Sequence, residues 1–196
     1  KFESITGNDS TANVTVFLIG LDRFKRINET LGFSFGDILL KFVAERLVAY
    51  SSGKYPVARL AGDSFVILIP GLQAEKIESV SKEMLESISR PFLLEAHQVF
   101  LTASVGVSTY PQNGSEIDKL IKNAEVALVS TKRAGGNSQQ MYSSEQQAVE
   151  SRKHQLQSAF PLALENSEFE VYYQPQINIT SGMIVGAEAL VRWNHP

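Results

Sequence analysis

The chain of 196 residues predicts an α+β fold, a mostly antiparallel central sheet flanked by helices, on three observations. Its apolar segments run in the order β-α-α-β-β-α-β-α-β. Two strand candidates, near 57 to 61 and 65 to 69, are joined by a turn short enough to force antiparallel pairing. Helices of amphipathic spacing separate the other strand candidates, the pattern of helices packed on a sheet.

A polar stretch at residues 7 to 13 leads into VTVFLI at 14 to 19, a β-branched and aromatic run of strand length. Asp22 then opens a short helix on which Phe24, Ile27 and Leu31 recur at helical spacing, and Gly32 ends it. A second helix is expected from about Asp37 to Tyr50, with Ile38, Leu39, Phe42, Val43 and Leu47 inward, until SSGKYP breaks it. The hairpin RLAGDSFVILIP, residues 59 to 70, follows. Its tip carries Asp63 and Ser64.

A helix from about Ala74 to Ser89 aligns Ile77, Val80, Met84, Leu85 and Ile88, and Pro91 stops it. HQVFLTASVGVSTYP reads as one long strand. The helix from Ser115 to about Arg133 closes at Gly135 and Gly136, and Gln139 to Tyr142 has the length of a short edge strand. From Ser144 the chain turns polar. This stretch is a connecting helix with an apolar seam of Leu156, Phe160 and Leu164, kinked or broken at Pro161. FEVYYQPQI and MIVGAEALVRW form a last hairpin around TSG at 180 to 182, too small to stand alone.

Composition excludes several classes. A net charge of -3 without a Lys/Arg block argues against a nucleic-acid binder that works by counterion release, but leaves small phosphorylated ligands open. Zero cysteines exclude disulfides and thiolate metal sites and fit a reducing cytosol. The longest apolar runs are too short to cross a bilayer, so a soluble chain is expected, with any membrane anchor outside these residues, and with the cysteine count the expected location is cytoplasmic.

By residue type, three places could carry chemistry. Asp63 at a hairpin tip serves either turn geometry or presentation of an acid to a metal or phosphate. GLDRFKRIN sets Lys25 and Asn28 on a helix that follows a strand, where helix starts favour anions. Asn28 with Asp37 could read guanine edges through a carboxylate acceptor and an amide. Alternatively Asp37 caps a helix and Asn28 lies on a solvated face.

LDRFKRINETLGFSFGDILLKFVAERL, VARLAGDSFVILIP, LTASVGVSTYP and NAEVALVSTKRAGGN together resemble a GGDEF domain of the diguanylate cyclase family, over roughly residues 14 to 142. YYQP and GAEALVRW resemble the opening of an EAL domain, the family of cyclic di-GMP phosphodiesterases. The resemblance implies a palm-like nucleotide-cyclase sheet over residues 1–143, lacking its N-terminal part. A connecting helix at 144–166 and a truncated start of an EAL (β/α) barrel at 167–196 follow. It also implies a bacterial signalling protein, a homodimer joining two GTP molecules, and Mg²⁺ or Mn²⁺ with GTP.

Position by position, the match is degenerate. The family's D-x-D-x-F-K is here GLDRFK, so Gly20 replaces the first metal-ligand acid while Asp22, Phe24 and Lys25 match. The signature is Ala61, Gly62, Asp63, Ser64 and Phe65: Asp63 keeps one metal-ligand carboxylate, Ala61 replaces a glycine and Ser64 replaces the second acid. In K-x-x-G-R-N, Lys132 remains and Gly136 replaces the phosphate-clamping arginine. Phe33 replaces a histidine, and Ser52 and Tyr55 stand where the product-inhibition motif R-x-x-D would fall. The guanine pair Asn28 and Asp37 survives, with Lys25 and Lys132.

These substitutions imply a catalytically inactive GGDEF domain that regulates an EAL phosphodiesterase, with GTP as its ligand. The alternatives are a dimerisation domain that binds no nucleotide, and an active cyclase. In a complete EAL domain the resemblance makes Glu188 a metal ligand and sets Gln174 and Arg192 against cyclic di-GMP.

Overall fold

The computed structural model describes Phe2 and residues 13–94 and 97–195; most of the expected polar stretch at 7 to 13 lies outside the described residues. The chain divides into two compact units, Lys1–Gln147 and Ala148–Pro196.

In the first unit the central strand is β1 (Val14–Leu21), in which every residue is buried. Its side chains alternate between two cores, as the strand period dictates. Phe17, Ile19 and Leu21 enter the larger core, with Leu39, Val43 and Leu47 of one helix and Met84, Leu85 and Ile88 of another. Val14, Val16 and Leu18 face Leu120, Ala124 and Leu128 on the opposite side. A strand covered on both faces reads as an unbroken apolar run, which is what VTVFLI is.

The sheet order is β2-β3-β1-β6-β7, where β2 is Val57–Ala61, β3 Ser64–Pro70, β6 Ala103–Tyr110 and β7 Gln139–Met141. Every pairing is antiparallel except that of β7, an edge strand parallel to β6. The expected fold class is therefore the observed one.

Helix α1 (Phe24–Leu31) starts after Arg23, in a left-handed conformation, so Asp22 lies just outside it rather than opening it. Helix α2 (Phe33–Ser51) starts four residues before Asp37. Gly32, at φ 88, both ends α1 and precedes α2, so Asp37 lies in the second helical turn and caps nothing. The buried stripe of α2 is Gly36, Leu39, Leu40, Val43 and Leu47. Ile38 and Phe42, expected inward, lie beside that stripe and are exposed, as is Leu31 on α1.

A 3-10 turn (Ala74–Lys76) leads into α3 (Ile77–Ser89). The expected long strand at 97–111 is split. Its start, β5 (His97–Val99), pairs with β4 (Phe92–Leu94) as a separate hairpin, and only the rest joins the main sheet as β6. Helix α4 (Ile117–Arg133) covers the second face of the sheet.

Arg46 on α2 closes the end of α3. Its guanidinium donates to the carbonyls of Ser87 (3.2 Å), Ile88 (3.3 Å), Arg90 (2.5 Å) and Pro91 (3.1 Å) and stacks 3.6 Å from the Phe92 ring centroid. These carbonyls have no intrahelical donor, so Arg46→Ala is expected to cost about 2 kcal/mol in chemical denaturation. Arg46→Lys should recover little, because an ammonium cannot reproduce the planar fork.

Nearby, the Tyr50 hydroxyl donates to the Val80 carbonyl (3.3 Å) and Glu83 Oε2 (3.2 Å). Burial first, then the Glu83 carboxylate, pushes the phenol up to about 12 from 10.0. A raised phenol favours the neutral form. Its contribution is complete below about pH 10 and is lost as pH rises through about 12. The stability gap between the wild type and Tyr50→Phe in alkaline denaturation series should shrink over that window.

Helix α5 (Ser144–Glu165), which begins in the last residues of the first unit and lies mostly in the second, runs on through Pro161 instead of breaking there. Proline removes one backbone donor without ending the helix here. The expected apolar seam is largely exposed. Phe160 packs against Phe169 (5.1 Å between ring centroids) and Trp193 (6.1 Å), Leu164 faces outward and Ala163 is buried. Strands β8 (Phe169–Ile177) and β9 (Ile184–Trp193) form an antiparallel pair of their own. Glu168 accepts from Trp193 Nε1 (2.9 Å) and Asn166 Nδ2 (3.0 Å), which hold its carboxyl below the usual range.

Candidate functional site

Two groups of the expected site residues are brought together in the first unit, one at the C-terminal end of β1 and one between α1 and α2.

At the end of β1, Gly20 pairs directly with Ser64 of β3, so the two positions where the family pattern has acids are cross-strand neighbours. The Gly62-Asp63 turn joins β2 to β3, with Gly62 at φ 55. Arg59 fixes this turn, its Nε and Nη2 donating to the Gly62 carbonyl at 2.9 and 2.7 Å. Ala61 and Gly62 are exposed, Asp63 and Ser64 are half-buried and Phe65 is buried in the core. From the last turn of α4, Lys132 Nζ donates to the Leu21 carbonyl (3.0 Å) and to Asp63 Oδ2 (3.2 Å).

Asp22 is fully engaged. Its Oδ2 accepts from Thr102 Oγ1 (2.8 Å) and the Asn137 backbone N–H (3.0 Å), and its Oδ1 from Ser104 Oγ (2.7 Å). It ties the end of β1 to β6 and to the loop after α4. In that loop Gly136 has φ 75, and a Cβ there would sit 3.0 Å from both Asp22 carboxylate oxygens. An arginine at this position would be strained and crowded.

Divalent metal chemistry does not fit these residues. Of the oxygen donors at this end of β1, Gly20 has no side chain to offer one, while the Leu21 carbonyl and Asp63 already receive an ammonium. Among the described residues, no group of three or more His, Cys, Asp or Glu side chains could hold a metal ion.

The second group is arranged differently. Asn28, on α1, is half-buried, and its side-chain oxygen lies against Gly36 of α2 so closely that a Cβ there would overlap it. The absence of a side chain at Gly36 lets the two helices meet at this point. That oxygen has no hydrogen-bond partner. The next residue is Asp37, exposed, whose carboxylate also has no partner among the described residues. Lys25, one turn before Asn28 and Glu29, points outward and pairs with Glu29 at 3.5 Å. Lys132 belongs to the β1 end, not to this pair.

In the second unit Gln174 and Glu188 stand opposite each other across β8 and β9, and Arg192 opposes Glu170 on the same face. All four are exposed.

Residue types alone did not single out Thr102, Ser104, Arg59 or Gly36. Gly36 was legible as a small residue just before Asp37. The other three are placed by strand pairing and turn geometry.

Comparison with known proteins identifies the families of the two units. Residues 3–138 match the family described as diguanylate cyclase, GGDEF domain, and residues 155–196 match the EAL domain. The chain is 37% identical over 183 residues to the cyclic di-GMP phosphodiesterase NbdA of Pseudomonas aeruginosa, covering 93% of this chain and 23% of that protein. It is 34% identical to the bifunctional diguanylate cyclase/cyclic di-GMP phosphodiesterase MucR of the same organism, covering 92% and 26%. The chain thus spans about a quarter of the length of the curated relatives it matches. Among solved structures, an EAL/GGDEF domain protein from M. capsulatus aligns with TM-score 0.64 at 34% identity, over 69% of this chain and 88% of that one. The GGDEF domain of YfiN from P. aeruginosa aligns with TM-score 0.66 at 27% identity, over 70% and 86%.

Proposed function

The chain belongs to the diguanylate cyclase GGDEF domain family and continues into the start of an EAL domain; on that premise we propose that its first unit is a catalytically silent guanine-nucleotide-binding module. It serves a cyclic di-GMP signalling protein whose EAL domain begins in the second unit.

The observation that carries this reading is which side chains are committed. Asp22, Asp63 and Lys132, which a metal or a triphosphate would use, are bonded within the protein, while Lys25 makes only a solvent-exposed ion pair with Glu29. Asn28 and Asp37, which would read the base, are not so bonded. An unpartnered amide and carboxylate on adjoining helices suit guanine, whose N1–H and N2–H₂ donate to the carboxylate while the amide meets its remaining edge. Adenine lacks those donors and would leave the carboxylate unsatisfied. GTP is therefore favoured over ATP by roughly 10-fold or more.

Isothermal calorimetry tests this directly. Asp37→Ala and Asn28→Ala should each weaken GTP binding by about 10-fold. Gly36→Ala should do the same by displacing the Asn28 side chain, and it should cost less stability than a backbone clash, because Asn28 can turn away and the Phe24 ring, 3.1 Å from the added Cβ, needs to give only slightly. Equal binding by all three variants would refute the reading.

In the complete EAL domain, Glu188 would bind a metal, and Gln174 and Arg192 would contact cyclic di-GMP on the face they share. A nucleotide-free interaction module is the second reading. It is favoured by an apolar groove in which Ile38, Phe42 and Leu93 are exposed beside the half-buried Phe35 and the buried Leu94, and it predicts that the Asn28 and Asp37 variants change nothing.

A further inference from the structure

We propose that the Lys132 ammonium is the resident cation at the end of β1, occupying in tethered form the place where a divalent metal would otherwise sit. Three observations converge on this assignment. The first is the pair of oxygens it holds: the Leu21 carbonyl at 3.0 Å and Asp63 Oδ2 at 3.2 Å. A backbone carbonyl and a carboxylate that face one point form a cation site of oxygen donors. Here the point is filled by the protein itself.

The second is the space. A Cβ built on Gly20 would lie 2.8 Å from Lys132 Nζ and Cε and 3.0 Å from Leu128 Cδ2. Any side chain at position 20 would force the end of Lys132 to shift, so the placement of the ammonium depends on Gly20, although its charge would stay beside the site. The missing acid and the placed lysine are therefore one structural change: Gly20 removes a ligand and in the same step opens the room that Lys132 fills.

The third is the charge balance. One carboxylate and one ammonium neutralise each other, with the two side chains only 32% and 34% exposed. A divalent ion entering beside Lys132 would meet a positive charge at ion-pair distance, in a setting less screened than bulk water. Asp22, just beyond the same end of β1, does not compensate, since Thr102, Ser104 and Asn137 already use both its oxygens. The site thus excludes a metal electrostatically as well as sterically. The inference is separate from the guanine reading and concerns different residues.

The test uses Mn²⁺ alone, without nucleotide, titrated into the 196-residue chain and followed by the loss of its free aqueous electron paramagnetic resonance signal. The wild type and Asp63→Asn should give identical titrations up to millimolar Mn²⁺, with no Asp63-dependent binding. Gly20→Asp combined with Lys132→Met supplies three oxygen donors and removes the competing cation. It should bind Mn²⁺ roughly 10-fold or more tightly than Gly20→Asp alone, because only the double variant lacks the repelling charge. Asp63-dependent Mn²⁺ binding by the wild type would overturn the proposal, as would equal affinity of the single and double variants. If thermal melting shows that the double variant does not fold, the comparison of wild type with Asp63→Asn decides alone.

Discussion

Incubated with GTP and Mg²⁺ or Mn²⁺, the chain is expected to form no cyclic dinucleotide detectable by chromatography. Cyclisation needs a metal to neutralise the triphosphate and to activate the attacking hydroxyl, and that stabilisation is worth several kcal/mol in the transition state. Losing about 5 kcal/mol of it slows the reaction by roughly 10⁴-fold. Here Gly20 supplies no carboxylate, its cross-strand neighbour Ser64 supplies none, and the remaining Asp63 is paired with Lys132. Ser64→Glu alone should not restore product. It replaces one acid while Gly20 and the placed ammonium remain. Accumulation of dinucleotide by the wild type would show that the losses at the end of β1 are tolerated.

Gly106→Ala is expected to give the largest loss of stability of any substitution considered, roughly 3 kcal/mol or more, with a fall in melting temperature on the order of 10 °C. A Cβ at Gly106 would overlap the Ala124 carbonyl oxygen and the Leu128 backbone nitrogen of α4, and would lie 2.9 Å from Leu128 Cβ. Backbone atoms in a helix cannot turn aside as the end of a side chain can. The whole helix would have to lift from β6. Ser104, Gly106 and Ser108 form a row of small residues on this face, and Ser108 Oγ donates to the Leu120 carbonyl at 2.7 Å, which shows how closely α4 approaches. Lifting α4 would also displace Leu128 and Lys132, which lie on the helix face toward Gly20. Thermal melting of this variant beside Gly36→Ala separates a backbone clash from a side-chain one.

The elements that periodicity revealed were those whose burial follows from their own residues. VTVFLI, the strand SFVILIP of the 59–70 hairpin and helices α3 and α4 each carry enough apolar residues to define a buried face. Elsewhere in the chain a neighbouring residue or element decides the structure. Asp37 looked like a helix start because Gly32 looked only like a helix end, yet one glycine both closes α1 and leads into α2. The β4 and β5 strands have three residues each, too few to show alternation, so HQV merged with the following strand. Ile38 and Phe42 flank a buried stripe of α2 and lie in the exposed part of an apolar helix.

At the site, the family resemblance identified which residues were kept and which were lost, but not what the kept ones do. Gly20, Asp63 and Lys132 lie far apart in the chain and meet because β1 pairs with β3 while α4 crosses the end of β1. Asp22 matched the family pattern, and its partners Thr102 and Ser104, just before and within the start of β6, lie 80 and 82 residues later. Only tertiary placement separates a retained acid that binds a ligand from one that fastens the fold.

The central claim is that the first unit reads guanine without cyclase chemistry, and the most direct measurement is calorimetric titration of the chain with GTP and, in parallel, with ATP. Saturable binding of GTP, at least roughly 10-fold tighter than ATP, is the result expected from the uncommitted Asn28 and Asp37. Equal heats for the two nucleotides, or none with GTP at millimolar concentration, would contradict it.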